Sequence, residues 1–176
     1  MKKLVWSLLI LALPIVALAD YKGTVRSIES TAKIVTVVLN VDSKPVTLTT
    51  KSIVIEEALV SAYITGATVT VETEPPPSMA IKRVQAFGQG KPPMPPPAPG
   101  DYKVNRLATQ RQNATDRLEV FLLKQNVETQ VNVFDRLLDP IFLAAFDVPP
   151  SPASEVLVDV DYDGNKAVTR VRIGLR

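Results

Sequence analysis

Gly88-Gln-Gly-Lys-Pro-Pro-Met-Pro-Pro-Pro-Ala-Pro-Gly100 is the stretch that divides the chain. Proline has a fixed φ and no backbone N–H, so a run this dense builds neither a helix nor the interior of a sheet. It favours polyproline II, a semi-rigid extended form, in which Lys91 to Pro99 would span roughly 25–30 Å. Two roles fit: a ligand for a proline-recognising groove, or a spacer between folded units. The glycines on either side favour the spacer. The expected organisation is a first unit over residues 20–87, a linker over 88–100 and a second unit over 101–176.

Each unit reads as strand-rich. In the first, period-two alternation of β-branched residues predicts strands over Tyr21–Ile28, Lys33–Val41 (Val35, Val37 and Leu39 on one face) and Val46–Thr50. Glu56–Tyr63 reads as a short helix, with Ala58, Leu59 and Ala62 on one side and Gly66 as its stop. Ala67–Glu72 and Ala80–Phe87 return to strand. The second unit runs in the same order. Strands are predicted over Lys103–Gln110, around Leu118, Val120 and Leu122, and over Glu128–Val133. A helix follows from Asp139 as N-cap with Pro140 at its first position, continuing to about Phe146. Glu155–Tyr162 and Ala167–Leu175 close the unit as a hairpin.

Both units open on the same tripeptide, Asp20-Tyr21-Lys22 and Asp101-Tyr102-Lys103. A constant offset of 83 lays Val35, Val37 and Leu39 on Leu118, Val120 and Leu122, Leu48 on Val131, Leu59 on Phe142 and Tyr63 on Phe146. The pattern predicts an internal duplication of a β-β-β-α-β-β unit. The other reading is one continuous domain that the proline segment interrupts. Five strands with a helix between the third and fourth is the order of the OB-fold, so the expected fold class is mainly β, as tandem small OB-like β-barrels joined by the proline-rich linker.

Gly23-Thr-Val-Arg-Ser-Ile28, the run Ile34–Leu39, Gly66-x-x-Val69-x-Val71 and Ala80-Ile-Lys-Arg-Val84 carry a resemblance. On these residues the first half resembles exported bacterial OB-like domains of unknown function of the DUF5666 type. The resemblance covers less than half the chain. The second half departs from it, with Val104 and Pro149 standing about where Gly23 and Gly66 stand. It implies an exported barrel and no particular chemistry.

Residues 1–19 read as a secretory signal peptide: Lys2 and Lys3, an apolar stretch from Leu4 to Val16, and Ala17-Leu18-Ala19 as the cleavage site. The apolar run is shorter than the roughly 20 residues a spanning helix needs, and Pro14 would disrupt it. The expected location is the periplasm or the exterior. Lys2 and Lys3 account for the formal +2, because without them 18 Lys and Arg face 18 Asp and Glu. Trp6, the sole Trp, would leave with the signal. A neutral, Trp-free chain lacks the basic excess of a nucleic-acid binder and its best stacking side chain.

The chain has no Cys and no His. Thiol catalysis, the commonest general base and the usual zinc and copper ligands are therefore missing. A hydrolase using carboxylates alone ranks last. Asp159-Val-Asp161-Tyr-Asp163-Gly164-Asn165 resembles the start of a calcium loop, yet its twelfth position is Arg170 where a bidentate Glu belongs. Asp163-Gly164 between two alternating runs is a hairpin signal, and this reading places Asp161 across from Lys166 and leaves no metal, cofactor or catalytic residue assigned. Arg170, Arg172 and Arg176, with Lys103, Arg106 and Arg111, could form a basic stripe, or a solvated face balanced by Asp159, Asp161 and Glu155. Glu56-Glu57 reads as a helix first turn favoured by the macrodipole. The expected function is a non-enzymatic binding or assembly module acting on a protein partner through a barrel face or edge strand. Oligosaccharide or single-stranded nucleic acid in an OB-type groove is the alternative.

Overall fold

Alternation fixes both the strands and what they bury. In the computed structural model, which describes residues 19–87, 100–110, 117–147 and 156–174, ten strands and two helices form. They are β1 (Ala19–Thr31), β2 (Val35–Val41), β3 (Lys44–Thr50), α1 (Ile53–Thr65), β4 (Thr68–Thr73), β5 (Ile81–Phe87), β6 (Tyr102–Gln110), β7 (Arg117–Lys124), β8 (Val127–Val133), α2 (Asp139–Asp147), β9 (Leu157–Tyr162) and β10 (Val168–Gly174). Val35, Val37 and Leu39 are wholly buried, and so are their partners at the 83 offset, Leu118, Val120 and Leu122, to within 1% exposure. Each such side chain removed from water contributes roughly 1.5–3 kcal/mol.

The element order of the first half recurs in the second, and so do its irregular points. Asp42 and Ser43 take positive φ at the β2–β3 turn (49° and 64°), and Gln125 and Asn126 do the same at the β7–β8 turn (50° and 64°). Both are hairpin turns whose twist suits the flanking strands. Ser52 caps α1, and Asp135, 83 residues on, caps the 3-10 turn Arg136–Leu138 that leads into α2. A parallel bridge joins Thr49 to Ala80, and another joins Asn132 to Ala167. The donors are Thr49 N–H to Met79 O (3.2 Å) and Asn132 N–H to Lys166 O (2.8 Å).

The two halves share one sheet, and this differs from the expected pair of separate barrels. The hydrogen-bonded order is β3-β2-β1-β10-β9-β6-β7-β8, with β4 between β1 and β5, and the sheet does not close. β1 is long enough to serve both halves. Its first part, Ala19–Thr24, pairs antiparallel with β4, and its last part, Ser27–Thr31, pairs antiparallel with β10. A register shift between Val25 and Ser27 marks the change of partner, and an irregularity of this kind bends a strand. The other irregular point is Gly23, where a Cβ would stand 2.2 Å from Asn40 O. Gly174 at the far end of β10 has φ +90°, and a Cβ there would meet Arg26 O at 2.3 Å. Close backbone approach of this kind requires glycine.

The strand and helix positions otherwise follow the alternation, with two corrections at helix starts and one in the last hairpin. Asp139 is not an N-cap: it is the first helical residue of α2, and Asp135 does the capping one turn earlier, accepting from Leu137 N–H at 2.9 Å. α1 begins at Ile53, before the Glu pair, because Ser52 provides the cap. In the last hairpin Asp161 stands across from Arg170, not Lys166, since Lys166 takes a positive φ within the turn. The stretches expected to be a signal peptide and a proline linker lie outside the described residues, except for Ala19, which begins β1, and Gly100. Among the described residues no helix is long and apolar enough to cross a membrane.

Candidate functional site

α1 and α2 pack against each other where the two halves meet. α1 starts because Ser52 accepts from Ile55 N–H, and stops because Gly66 takes φ 65° and returns its N–H to Tyr63 O. Its sequence, Ile-Val-Ile-Glu-Glu-Ala-Leu-Val-Ser-Ala-Tyr-Ile-Thr, is apolar on more than one side. A helix of this kind buries one side in the core and offers another to a neighbour. Leu59 and Ala62 enter the core, while Val60 and Ile64 line a groove of about 460 Å³ against Leu143 and Ala144 of α2. Among the described residues its charged linings are Glu57 and Asp147, both acidic. A second lobe of about 390 Å³ shares Glu57, Pro140 and Leu143 and extends to Ile53, Leu118 and Arg136. Leu143 is 41% exposed and its neighbour Phe146 is 45% exposed. The chemistry on offer is apolar contact with a cation held at the rim.

Glu56 and Glu57 do different things, which corrects their reading as a macrodipole pair. Glu57 faces the groove. Glu56 is fully buried, and Ser30 Oγ of β1 donates to its Oε1 while Oε2 has no partner among the described residues. Burial pushes its pKa up to about 8, opposed by the Ser30 hydrogen bond and helped by the negative charges of Glu57, Asp139 and Asp135. It is held as a neutral acid at neutral pH, enclosed and away from the groove. The sequence signal for it was available: a carboxylate one turn before Leu59, on the side of the helix that enters the core.

The remaining sequence candidates lie elsewhere and are engaged. Arg170 bonds Asp161 (2.8 Å) and Glu29 (3.0 Å), and Arg172 pairs with Asp159. These form a ladder across β9, β10 and β1, so Asp159 and Asp161 face arginines. Asp163 Oδ1 accepts from the N–H groups of Asn165 (2.9 Å) and Ala167 (2.8 Å), which shapes the turn. Among the described residues no group of three or more carboxylates is placed to hold a metal ion. On the neighbouring strands Arg106 pairs with Glu128 at 2.6 Å and lies 4.1 Å from the Phe121 ring centroid. Lys124 pairs with Asp101 at 2.6 Å and lies 5.4 Å from the Tyr102 ring. Arg111, Arg176 and Glu155 lie outside the described residues. The expected basic stripe is thus interleaved with acids over Arg106, Arg170 and Arg172. What sequence reasoning missed is the groove, because it depends on two helices more than 70 residues apart being brought together.

Comparison with family models, curated proteins and solved structures gives no match.

Proposed function

We propose that the chain is a non-enzymatic, exported binding or assembly module of the bacterial envelope, acting through protein–protein contacts. It is built of two OB-like units joined by the proline-rich linker. The observation that carries the reading is the groove between α1 and α2, apolar over Val60, Ile64, Leu143 and Ala144 and acidic at Glu57 and Asp147. A groove of this character suits an apolar segment that also bears Lys or Arg. The repeated caps, turns and parallel bridges support the two-unit description. The absence of His and Cys from the sequence, and the enclosure of Glu56, support a role without catalysis.

The test is crosslinking and affinity capture from the native envelope with the wild-type chain and the variant Leu143→Glu. Leu143 is exposed enough that the change leaves folding intact, which circular dichroism verifies. A crosslinked protein present with wild type and lost with the variant is the expected result. Capture that is the same for both chains, or turnover of generic ester, glycoside or peptide substrates, would overturn the reading.

One observation favours the alternative, an OB-type site for oligosaccharide or single-stranded nucleic acid. Tyr102 and Phe121 each lie beside a cation, Lys124 and Arg106, a pairing such ligands use. Asp101 and Glu128 neutralise those cations, so this reading ranks second. Saturable binding of oligo-dT at low salt, or of a glycan on an array, would promote it.

A further inference from the structure

We infer that the strands carry a second, closable seam between β5 and β6, and that Phe87 is the wedge that holds it open. The first seam, β1 against β10, is closed. The inference goes beyond the groove and rests on strand register and burial.

The two halves correspond strand by strand. Gly23 pairs with Val69 and Tyr102 with Val158, so β1 maps onto β6 at an offset of 79 and β4 onto β9 at 89. The register shifts agree, between Val25 and Ser27 in β1 and between Val104 and Arg106 in β6. Val71 pairs with Val84 and Val160 with Val171, which maps β5 onto β10 at 87. The parallel bridges at Ala80 and Ala167 give the same offset. Arg106–Gln110 of β6 is therefore the counterpart of Ser27–Thr31 of β1, and Arg83–Phe87 of β5 is the counterpart of Arg170–Gly174 of β10. The closed seam sets Ser27 against Gly174, Ile28 against Ile173 and Ser30 against Val171. Its image would set Arg106 against Phe87, Leu107 against Ala86 and Thr109 against Val84. That image is not formed: among the described residues β5 pairs only with β4, and Arg106–Gln110 pairs only with β7. With it, β1, β4, β5, β6, β9 and β10 would run as a closed ring.

The difference between the seams lies at one position. Gly174 takes φ +90°, and a Cβ there would stand 2.3 Å from Arg26 O and 2.7 Å from Ser27 Cα. Its counterpart is Phe87, which has a Cβ and a ring and does not take a positive φ. Forcing Phe into that backbone and that space is costly. The rest of the seam favours closure. Ile28, Val171 and Ile173 are buried to within 1% exposure, whereas their counterparts Leu107 and Val84 are only half-buried and Ala86 is exposed. Pairing would take this apolar surface out of water. The two edges also belong to one chain, so they meet at an effective concentration that a second copy does not match. Closure is thus driven by Val84, Ala86 and Leu107 and opposed by Phe87.

Residue-resolved hydrogen exchange on the purified chain reads both seams. In wild type, the seam-facing amides of 83–87 and 106–110 should exchange roughly a hundredfold faster than the equivalent amides of 27–31 and 170–174. Phe87→Gly should slow them by roughly tenfold or more. Phe87→Ala should not, because it keeps the Cβ that the close approach excludes. An engineered thiol pair reads closure directly, since the chain has no Cys of its own. Ala86→Cys with Leu107→Cys fills the positions equivalent to Ile173 and Ile28, which stand opposite each other in the closed seam. A disulfide needs Cα atoms roughly 4.4–6.8 Å apart, so it forms only when the seam shuts. In a glutathione buffer it should form within one chain, and roughly tenfold faster once Phe87→Gly is added. Slow exchange across the wild-type seam would show it already closed, and equal protection by Gly and Ala would show that Phe87 is no wedge. A disulfide joining two chains would assign the edges to a second copy. Each of these overturns the inference, as does failure of the thiol pair to oxidise in the Phe87→Gly chain. The groove reading is untouched by any of them, because Leu143→Glu tests it separately.

Discussion

Glu56 is a single carboxyl group that ties stability to pH. Its folded pKa is raised to about 8, from an ordinary value of 4.5. The folded state therefore holds a proton that the unfolded chain releases. The stability this contributes is fully present below about 4.5 and is lost as pH rises through about 8. The melting temperature should fall between pH 5 and pH 9. Glu56→Gln keeps the shape and an acceptor for Ser30 and has no proton to lose, so it should flatten that slope. At pH 9 it should melt higher than wild type by roughly 3–6 °C. A wild-type melting temperature that stays flat from pH 5 to pH 9 would show that Glu56 ionises without cost. The carboxyl itself was visible in the sequence, but not its enclosure. Two adjacent glutamates at a helix start look alike until the strand carrying Ser30 is laid beside one of them.

At the scale of elements, the hairpin turns carry the clearest prediction. Ser43 and Asn126 sit at equivalent points with φ of 64° each. Asn tolerates the left-handed region and Ser does so less well. Ser43→Gly should therefore stabilise by about 0.5–1 kcal/mol, and Asn126→Gly by less; urea midpoints at constant slope check both. Equal gains would mean that the two turns are not strained in the way their φ angles imply. The strands themselves were legible because Val35, Val37 and Leu39, and Leu118, Val120 and Leu122, alternate cleanly. The position of the helix cap in the second half was not. Asp135 and Asp139 are both good capping residues, and only the 3-10 turn between them decides which one caps.

At the scale of the whole molecule, the question is whether the halves are separable. The expected linker pointed to two independent units, and the β1–β10 ladder joins them instead. No local pattern could show this, because Ser27 and Gly174 lie near opposite ends of the sequence. The chain should unfold in one calorimetric transition. Gly174→Ala drives a Cβ toward Arg26 O and Ser27 Cα, and should lower stability by about 3 kcal/mol or more through backbone strain at the junction. Two resolved transitions in the wild-type chain would show that the ladder does not couple the halves.

That ladder also sets an order in time. β1 leaves the ribosome first among the strands, and β10 leaves last. The β1–β10 ladder can form only once Val171 and Ile173 have emerged. The contact that welds the halves closes the longest loop among the described residues, so its entropic cost falls on a late step. Until then β1 has an unsatisfied side, and the nascent protein is exposed to mispairing. On the export proposed above, the delay has a use: the two halves stay unwelded until the last strand has crossed.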